Sequence, residues 1–254
     1  MQTMQLFSHS VRMVLNNFNV ALRISTPLIA IMLFGYFVLG DSSTAALGDS
    51  SFGDDNLDAD FSAGAALSVL LQVVVSLWVA VAWHRFILLE ETPSGYVPPF
   101  HGNRVLAYFL KGLLLFIIVF AAALVLGFGG GMMFVVETLV TYILGAVLIG
   151  VMLVAIIVIS ARLYVILPAA AVGEPLSLRQ AWDATDGMTL PIVLAYILLV
   201  LVLMVGGLLI GVVAAFTGII GTILLIAFNA VATLFSLSLL TTVYGVAIEG
   251  RSID

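Results

Sequence analysis

The sequence contains no cysteine and few charged residues. The absence of cysteine excludes disulfides, thiolate nucleophiles and cysteine-based metal sites. Charged residues make up 9% of the 254 residues, whereas a soluble domain carries about 25%. Because so few charges cannot cover a surface that faces water, the composition predicts an integral membrane protein.

Basic residues are the scarcer of the two kinds of charge. Lys and Arg number 8 and Asp and Glu 14, for a formal net charge of -6, and no strongly basic tail offers a surface to nucleic acid. The N-terminal stretch MQTMQLFSHSVRMVLNNF lacks the charged, apolar and small-residue order of a cleavable signal peptide. We therefore expect no nucleic-acid partner, and we expect this stretch to stay in the mature chain.

Long apolar runs are abundant instead, since 63% of the residues are hydrophobic. Six runs reach the roughly 20 residues that a membrane-spanning helix needs. They are residues 20–39, 63–84, 105–126, 134–159, 189–212 and 218–245. Glycine-rich breaks at 127–133 and 214–221 predict tight turns between antiparallel helices. The predicted fold is all-α, a polytopic membrane bundle of six transmembrane helices in three hairpins.

Basic and acidic residues are segregated along the chain. If the N-terminus lies inside the cell, every Lys and Arg falls at or near the cytoplasmic face, as membrane proteins prefer. These residues are Arg12, Arg23, Arg85, Arg104, Lys111, Arg162, Arg179 and Arg251. The loop at residues 40–64 has neither Lys nor Arg and carries Asp41, Asp49, Asp54, Asp55, Asp58 and Asp60. The pattern predicts an acidic external loop and two cytoplasmic termini.

One unit, a short interfacial amphipathic helix followed by a transmembrane hairpin, recurs along the chain on the cytoplasmic side. The pseudo-repeats cover about residues 1–91, 97–169 and 175–248 of a single membrane domain, 1–254. The first short helix is predicted to have one apolar face, formed by Phe7, Val11, Val14, Phe18 and Leu22, and to break at Asn16-Asn17. The second is predicted in PFHGNRVLAYFLKG, and the third at 176–186.

An arginine and a proline mark the end of the fourth span. Arg162 is predicted to close this span at the cytoplasmic face, with its long side chain reaching the lipid phosphates. Pro168 is predicted to kink or end the same helix, because proline lacks the N–H that an upstream carbonyl needs.

Polar side chains form stripes on two spans. Ser68, Gln72 and Ser76 share one face of the second helix, and Asn229, Thr233 and Ser236 share one face of the sixth. These stripes either line a solute path or, more commonly, hydrogen-bond between helices at about 0.6 kcal/mol per contact. Gly207 and Gly211 form a small-residue face that allows close helix approach.

Glu137 is a candidate intramembrane site, one turn into the fourth helix. An ionisable group in lipid is costly and is therefore often functional. The alternative is a shallow carboxylate that water or nearby glycine backbone solvates.

Trp and Arg occur together twice near the predicted interface. Trp83, His84 and Arg85 form one group, and Arg162, Arg179 and Trp182 form the other. Each group is either a membrane anchor or a docking surface for a cytoplasmic or membrane partner.

Three histidines are predicted at the cytoplasmic boundary. A metal or proton site would need His9, His84 and His101 to converge, whereas the simpler interpretation is three polar residues at an interface that tolerates them. No pair of these histidines has the spacing of a metal-binding motif. We therefore predict no metal, no cofactor and no catalytic residue.

Residues 161–192, ARLYVILPAAAVGEPLSLRQAWDATDGMTLPI, carry a family resemblance. A helix ends in Arg-Leu, and the chain then runs through Leu-Pro-Ala to an acidic or glycine turn. A short helix with Ala-Trp follows, and then a Thr/Asp-Gly turn. This order resembles bacterial six-helix membrane proteins, including the YciC-like family and the membrane domain of some glycerophosphodiester phosphodiesterases. The resemblance implies a bundle in the bacterial inner membrane with no settled activity. No phosphodiesterase residues carry over, because that chemistry belongs to a separate soluble domain.

Several functions are compatible with these features. The favoured one is a non-enzymatic scaffold or accessory subunit, with the lipid bilayer and another membrane protein as partners. A small-solute transporter or permease would need broken helices opposed at the midplane or charges deep in the bundle. A membrane-embedded lipid-binding protein is a further alternative. An intramembrane enzyme would need acid and base residues at one depth, whereas Glu137 is predicted on the opposite face of the bilayer from the histidines.

Overall fold

The computed structural model describes residues 2–39, 63–93, 95, 97–136 and 138–253. In these ranges the regular secondary structure is entirely helical, and six helices are long and apolar enough to cross a membrane. Their spanning stretches are Phe18–Phe37, Ala66–Leu89, Gly102–Phe134, Leu139–Val172, Thr189–Thr217 and Ile219–Ala247. The predicted all-α fold with six spans is confirmed. Most of the predicted acidic loop at 40–64 lies outside the described residues.

The helices are numbered in chain order. They are α1 (Gln2–Asn16), α2 (Phe18–Leu39), α3 (Ala63–Leu89), α4 (Gly102–Phe134), α5 (Leu139–Leu163), α6 (Ile166–Val172), α7 (Leu178–Ala184), α8 (Thr189–Thr217) and α9 (Ile219–Ala247). The chain packs as two compact units. One comprises the described residues within 1–11, 102–199 and 239–254, and the other the described residues within 12–101 and 200–238.

The predicted break between α1 and α2 is present at Asn17. Its backbone amide donates to the carbonyl of Val14 at 3.2 Å, a tight turn that interrupts the helical ladder. Phe18 and Leu22, the last two residues of the predicted apolar face, follow this break and are exposed. Because Asn17 separates α1 from α2, the predicted three- and four-residue spacing does not run through one continuous helix.

No separate short helix precedes the third span within the described residues. The segment predicted as the second interfacial helix forms the first turns of α4, which runs without interruption from Gly102 to Phe134. From Gly102 onward the segment contains no proline, so the spanning helix extends through it. The other two predicted short helices are present as α1 and α7.

Both predicted glycine-rich turns are shorter than the sequence indicated. Residues 127–133 are helical, and the chain turns only after Phe134, where Thr138 caps α5 by accepting a hydrogen bond from the backbone N of Thr141 at 3.2 Å. Between α8 and α9 the turn is the single residue Gly218, at φ 56°. In lipid, each backbone group outside a helix lacks water as a partner, so the helices continue through their glycines.

The glycines allow close helix packing instead. At the crossing of α4 and α5, a Cβ on Gly145 would lie 2.7 Å from Cε2 of Phe134 and 2.9 Å from the carbonyl oxygen of Gly130. Gly207 packs against the ring of Phe228, as the small-residue face predicted. Gly211 does not share that role, because a Cβ there would meet no described atom within 4 Å.

The end of the fourth span is interrupted before Pro168, not at it. Pro168 has no N–H, and its ring crowds the carbonyl of Tyr164, four residues earlier. This carbonyl therefore accepts a hydrogen bond from Leu167 N instead, at 3.0 Å. The short helix α6 then ends at Gly173, whose φ of 92° suits a residue without a side chain. The Arg104 guanidinium lies where a Cβ of Gly173 would be.

Candidate functional site

Two of the predicted docking residues are buried. Trp83 and His84 are both 0% exposed, and Trp83 packs in the core of the second unit with Val79 and Phe86. The prediction of an exposed docking surface at these two residues is therefore wrong. Trp83 lies one helical turn after Val79, so the inward face of α3 includes its indole.

The third member of that group, Arg85, belongs to an ion-pair cluster. Arg85 Nη2 lies 2.6 Å from Glu91 Oε2, and His101 Nε2 lies 2.5 Å from Glu91 Oε1. The chain can reverse after α3 because Glu90 adopts φ 56°, an uncommon conformation for a residue with a side chain. The cluster thus joins the end of α3 to the residue before α4 through one carboxylate.

The loop within this cluster also packs on α3. Trp78 Nε1 donates to the carbonyl of Pro99 at 3.1 Å, and its ring meets Phe100 edge-on at 5.5 Å between centroids. Sequence patterns alone do not predict this arrangement. The one sequence pattern that points to it is a short proline-rich stretch with ionisable residues on both sides.

The charge of Glu91 makes the cluster sensitive to acid. Burial raises the pKa of Glu91, but the hydrogen bonds from His101 and Arg85 and their positive charges lower it below its ordinary value overall. A lowered folded-state pKa stabilises the fold above the unfolded value of about 4.3 and loses this effect as pH falls through the folded value.

We therefore expect the backbone amide of Glu91, which donates to the Arg85 carbonyl at 3.5 Å, to lose protection from hydrogen exchange as the pH is lowered below about 4.3. The effect on stability should be about 1 kcal/mol or less, because the Glu91 side chain is 27% exposed. Glu91→Gln should have low protection at every pH and remove this pH dependence. Equal acid sensitivity in wild type and variant would assign the effect to other carboxylates.

The second predicted docking group is brought together in the first unit. Arg162 Nη2 donates to the carbonyl of Trp182 at 2.5 Å and to Asp186 Oδ1 at 3.1 Å, and its guanidinium lies 4.0 Å from the centre of the Trp182 ring. The Arg162 side chain is 11% exposed. The predicted extension toward lipid phosphates is therefore wrong, because the guanidinium is engaged by the C-terminal end of α7.

Short-range bonds fix α7 in place at both ends. Ser177 and Gln180 form a reciprocal capping box at its start. At its end, the buried hydroxyl of Thr185 donates to the carbonyl of Ala181 at 2.8 Å and lies 3.3 Å from the carbonyl oxygen of Arg162. The outer face of α7 carries Arg179, whose side chain is 93% exposed.

The polar stripes of α3 and α9 meet at an open cavity of about 440 Å³ in the second unit. Gln72 and Ser76 of α3 and Thr233 of α9 line it, among apolar residues that include Val69, Val73 and Leu237. The Thr233 hydroxyl donates to the carbonyl of Asn229 at 2.8 Å. The structure thus brings part of both predicted stripes together.

The α9 stripe satisfies its own donors. Asn229 is exposed and its amide donates to the carbonyl of Leu225 at 2.8 Å, while Ser236 donates to the carbonyl of Ala232 at 3.0 Å. Their donors therefore bond within α9 and do not form the hydrogen bonds between helices that were one of the two predicted roles. Glu137, the other intramembrane candidate, lies outside the described residues.

Comparison with protein-family models finds no match for this chain, and comparisons with curated proteins and with solved structures find none. The resemblance of residues 161–192 to the YciC-like family therefore stays a prediction. The fold itself indicates the class of protein. Six helices of spanning length and apolar composition indicate an integral, multi-pass membrane protein.

Proposed function

We propose that this chain is a non-enzymatic scaffold or accessory subunit of a larger assembly in the bacterial inner membrane, with both termini in the cytoplasm. The observation that carries the proposal is the anchored α7, which has a buried arginine beneath it and charged residues on its outer face. The segregation of Lys and Arg from the acidic loop supports the orientation. A reporter fused after residue 254 that is active only outside the cytosol would contradict this topology.

A docking surface needs fixed geometry and side chains that the chain itself leaves exposed. Arg162 supplies the fixed geometry, since one guanidinium binds the Trp182 carbonyl, its ring and Asp186. Arg179 and Asp183 lie on the exposed side, where their mutual pair at 3.8 Å contributes little stability. A partner with complementary charges therefore gains contacts without disturbing the anchor, which supports a docking role for α7.

The test is recovery of a partner from native membranes in a mild detergent. We expect tagged wild type to recover a stoichiometric partner. We expect Arg179→Glu to reduce recovery by at least about tenfold, because like charges opposed at an interface cost several kcal/mol and about 1.4 kcal/mol is already tenfold. Arg23→Glu is the matched control, since Arg23 is another exposed arginine predicted near the same membrane face.

Two results would argue against the accessory role. Equal recovery from wild type and Arg179→Glu would remove α7 from the docking surface. A clean monomer that a small solute stabilises would instead favour the permease alternative.

A further inference from the structure

We propose that the open cavity between α3 and α9 binds a lipid-soluble carbonyl compound of the prenyl quinone class. This inference goes beyond the scaffold role and depends on different residues. The cavity volume of about 440 Å³ falls within the range of about 300–1,000 Å³ that is usual for small-molecule sites. Its lining is mostly apolar, with polar groups at a few positions.

Two polar side chains of α3, Gln72 and Ser76, line the cavity with hydrogen-bonding capacity to spare. In the part of the chain that the structure describes, neither the Gln72 amide nor the Ser76 hydroxyl has a hydrogen-bond partner. In an apolar medium an amide or hydroxyl without a hydrogen-bond partner is costly, because it has lost its hydrogen bonds to water. Gln72 and Ser76 are four residues apart on one helical face, so a single ligand can accept hydrogen bonds from both.

The depth of these two donors in the membrane limits which ligands can reach them. At about 1.5 Å per residue, Gln72 lies about 9 Å and Ser76 about 15 Å inside the span that begins at Ala66. Phospholipid phosphates and esters lie near the membrane surface, so only acyl chains, which lack hydrogen-bonding groups, reach these donors. A prenyl quinone carries two carbonyl acceptors on a ring that enters the hydrocarbon with its tail.

The carboxamide of Gln72 also suits the reduced form of the ligand. Its NH₂ group donates to a quinone carbonyl, and its carbonyl oxygen accepts from a quinol hydroxyl. Thr233 adds an acceptor, because its hydroxyl hydrogen is directed to Asn229 and its oxygen lone pairs remain. The site is therefore a binding site for the ring, and no electron transfer is assigned to it.

Binding is tested with the full chain in phospholipid nanodiscs, by titrating a benzoquinone that carries one isoprenyl unit. Quinones quench indole fluorescence, and Trp78 follows the lining residue Leu77 on α3. We expect saturable quenching that Trp78→Phe removes, and about tenfold weaker binding for both Gln72→Leu and Ser76→Ala. Asn229→Leu is the control and should bind like wild type, because Asn229 is polar, exposed and outside the cavity lining.

Both α3 variants replace a polar group by an apolar one. Ser76→Ala is a small change that should preserve the fold, and an unchanged unfolding midpoint checks this. Quenching that rises linearly and equally in every variant shows partition into the bilayer only and overturns the proposal. So does a tightly held phospholipid, identified by mass spectrometry, that the quinone does not displace. A change in oligomeric state for Gln72→Leu with unchanged quinone binding would assign the stripe to helix association.

Discussion

Substituting Gly221 by alanine is expected to destabilise the protein by about 3 kcal/mol, at the upper end of the range for overpacking. A Cβ at Gly221 would lie 2.6 Å from the carbonyl oxygen and 2.7 Å from the Cβ of Ala214. These neighbours are backbone and a methyl group on α8, so they cannot rotate away as the end of a long side chain can. The methyl group must therefore push α8 and α9 apart next to their one-residue turn.

The measurement is equilibrium unfolding in mixed micelles, followed by helical circular dichroism as the fraction of denaturing detergent increases. Gly218→Ala is the matched control. Gly218 has φ 56° but no described atom within 4 Å of a Cβ, so alanine there should cost only the conformational strain of about 1–2 kcal/mol. If Gly221→Ala unfolds at the same midpoint as wild type, the close approach of α8 and α9 is not formed.

Gly145→Ala is expected to cost about 1–3 kcal/mol by the same kind of overpacking. The added methyl would lie 2.9 Å from the carbonyl oxygen of Gly130 and 2.7 Å from the Phe134 ring. The ring can turn aside, but the Gly130 carbonyl is part of the α4 ladder and cannot move without breaking it. The cost should therefore be smaller than at Gly221, where more backbone atoms are crowded.

Substituting a second glycine on α5 is expected to change the stability in the opposite direction. Gly150 is exposed and a Cβ there meets no described atom within 4 Å, so Gly150→Ala should raise stability by up to about 1 kcal/mol through helix propensity. Unfolding midpoints of both variants in the same detergent series give the comparison. Destabilisation by both substitutions to the same extent would mean that glycine flexibility, and not the helix crossing, is what α5 requires.

The sequence predicts the number and approximate position of the spanning helices well, because apolar length alone decides whether a helix can cross a bilayer. It predicts helix ends poorly where glycine occurs. The run at 127–133 is typical of a loop in water, yet it is helical here, and its Gly130 contacts the second helix of the hairpin. The helix propensity of glycine is measured in water, where an unfolded backbone can hydrogen-bond to the solvent. In lipid that alternative partner is absent, so the propensity does not predict where the helix ends.

The candidate sites show a second limit of sequence reasoning. Arg162 and Trp182 are in contact, but the contact depends on how the chain runs between Pro168 and α7, which sequence spacing does not reveal. Trp83 was expected at the surface because tryptophan is common at membrane interfaces, whereas its helical phase points it inward. The Glu91 cluster needed the positive φ of Glu90, a conformation that glutamate rarely adopts.

The single-residue turn at Gly218 has a consequence for biogenesis. Because α8 ends at Thr217 and α9 begins at Ile219, the two helices have no hydrophilic connection between them. No segment could therefore stay in the aqueous phase between the insertion of α8 and the insertion of α9. We therefore expect the pair to leave the translocon together as a closed helical hairpin. A polypeptide released after residue 217 would therefore present an unpaired apolar rod to the quality-control proteases of the cell.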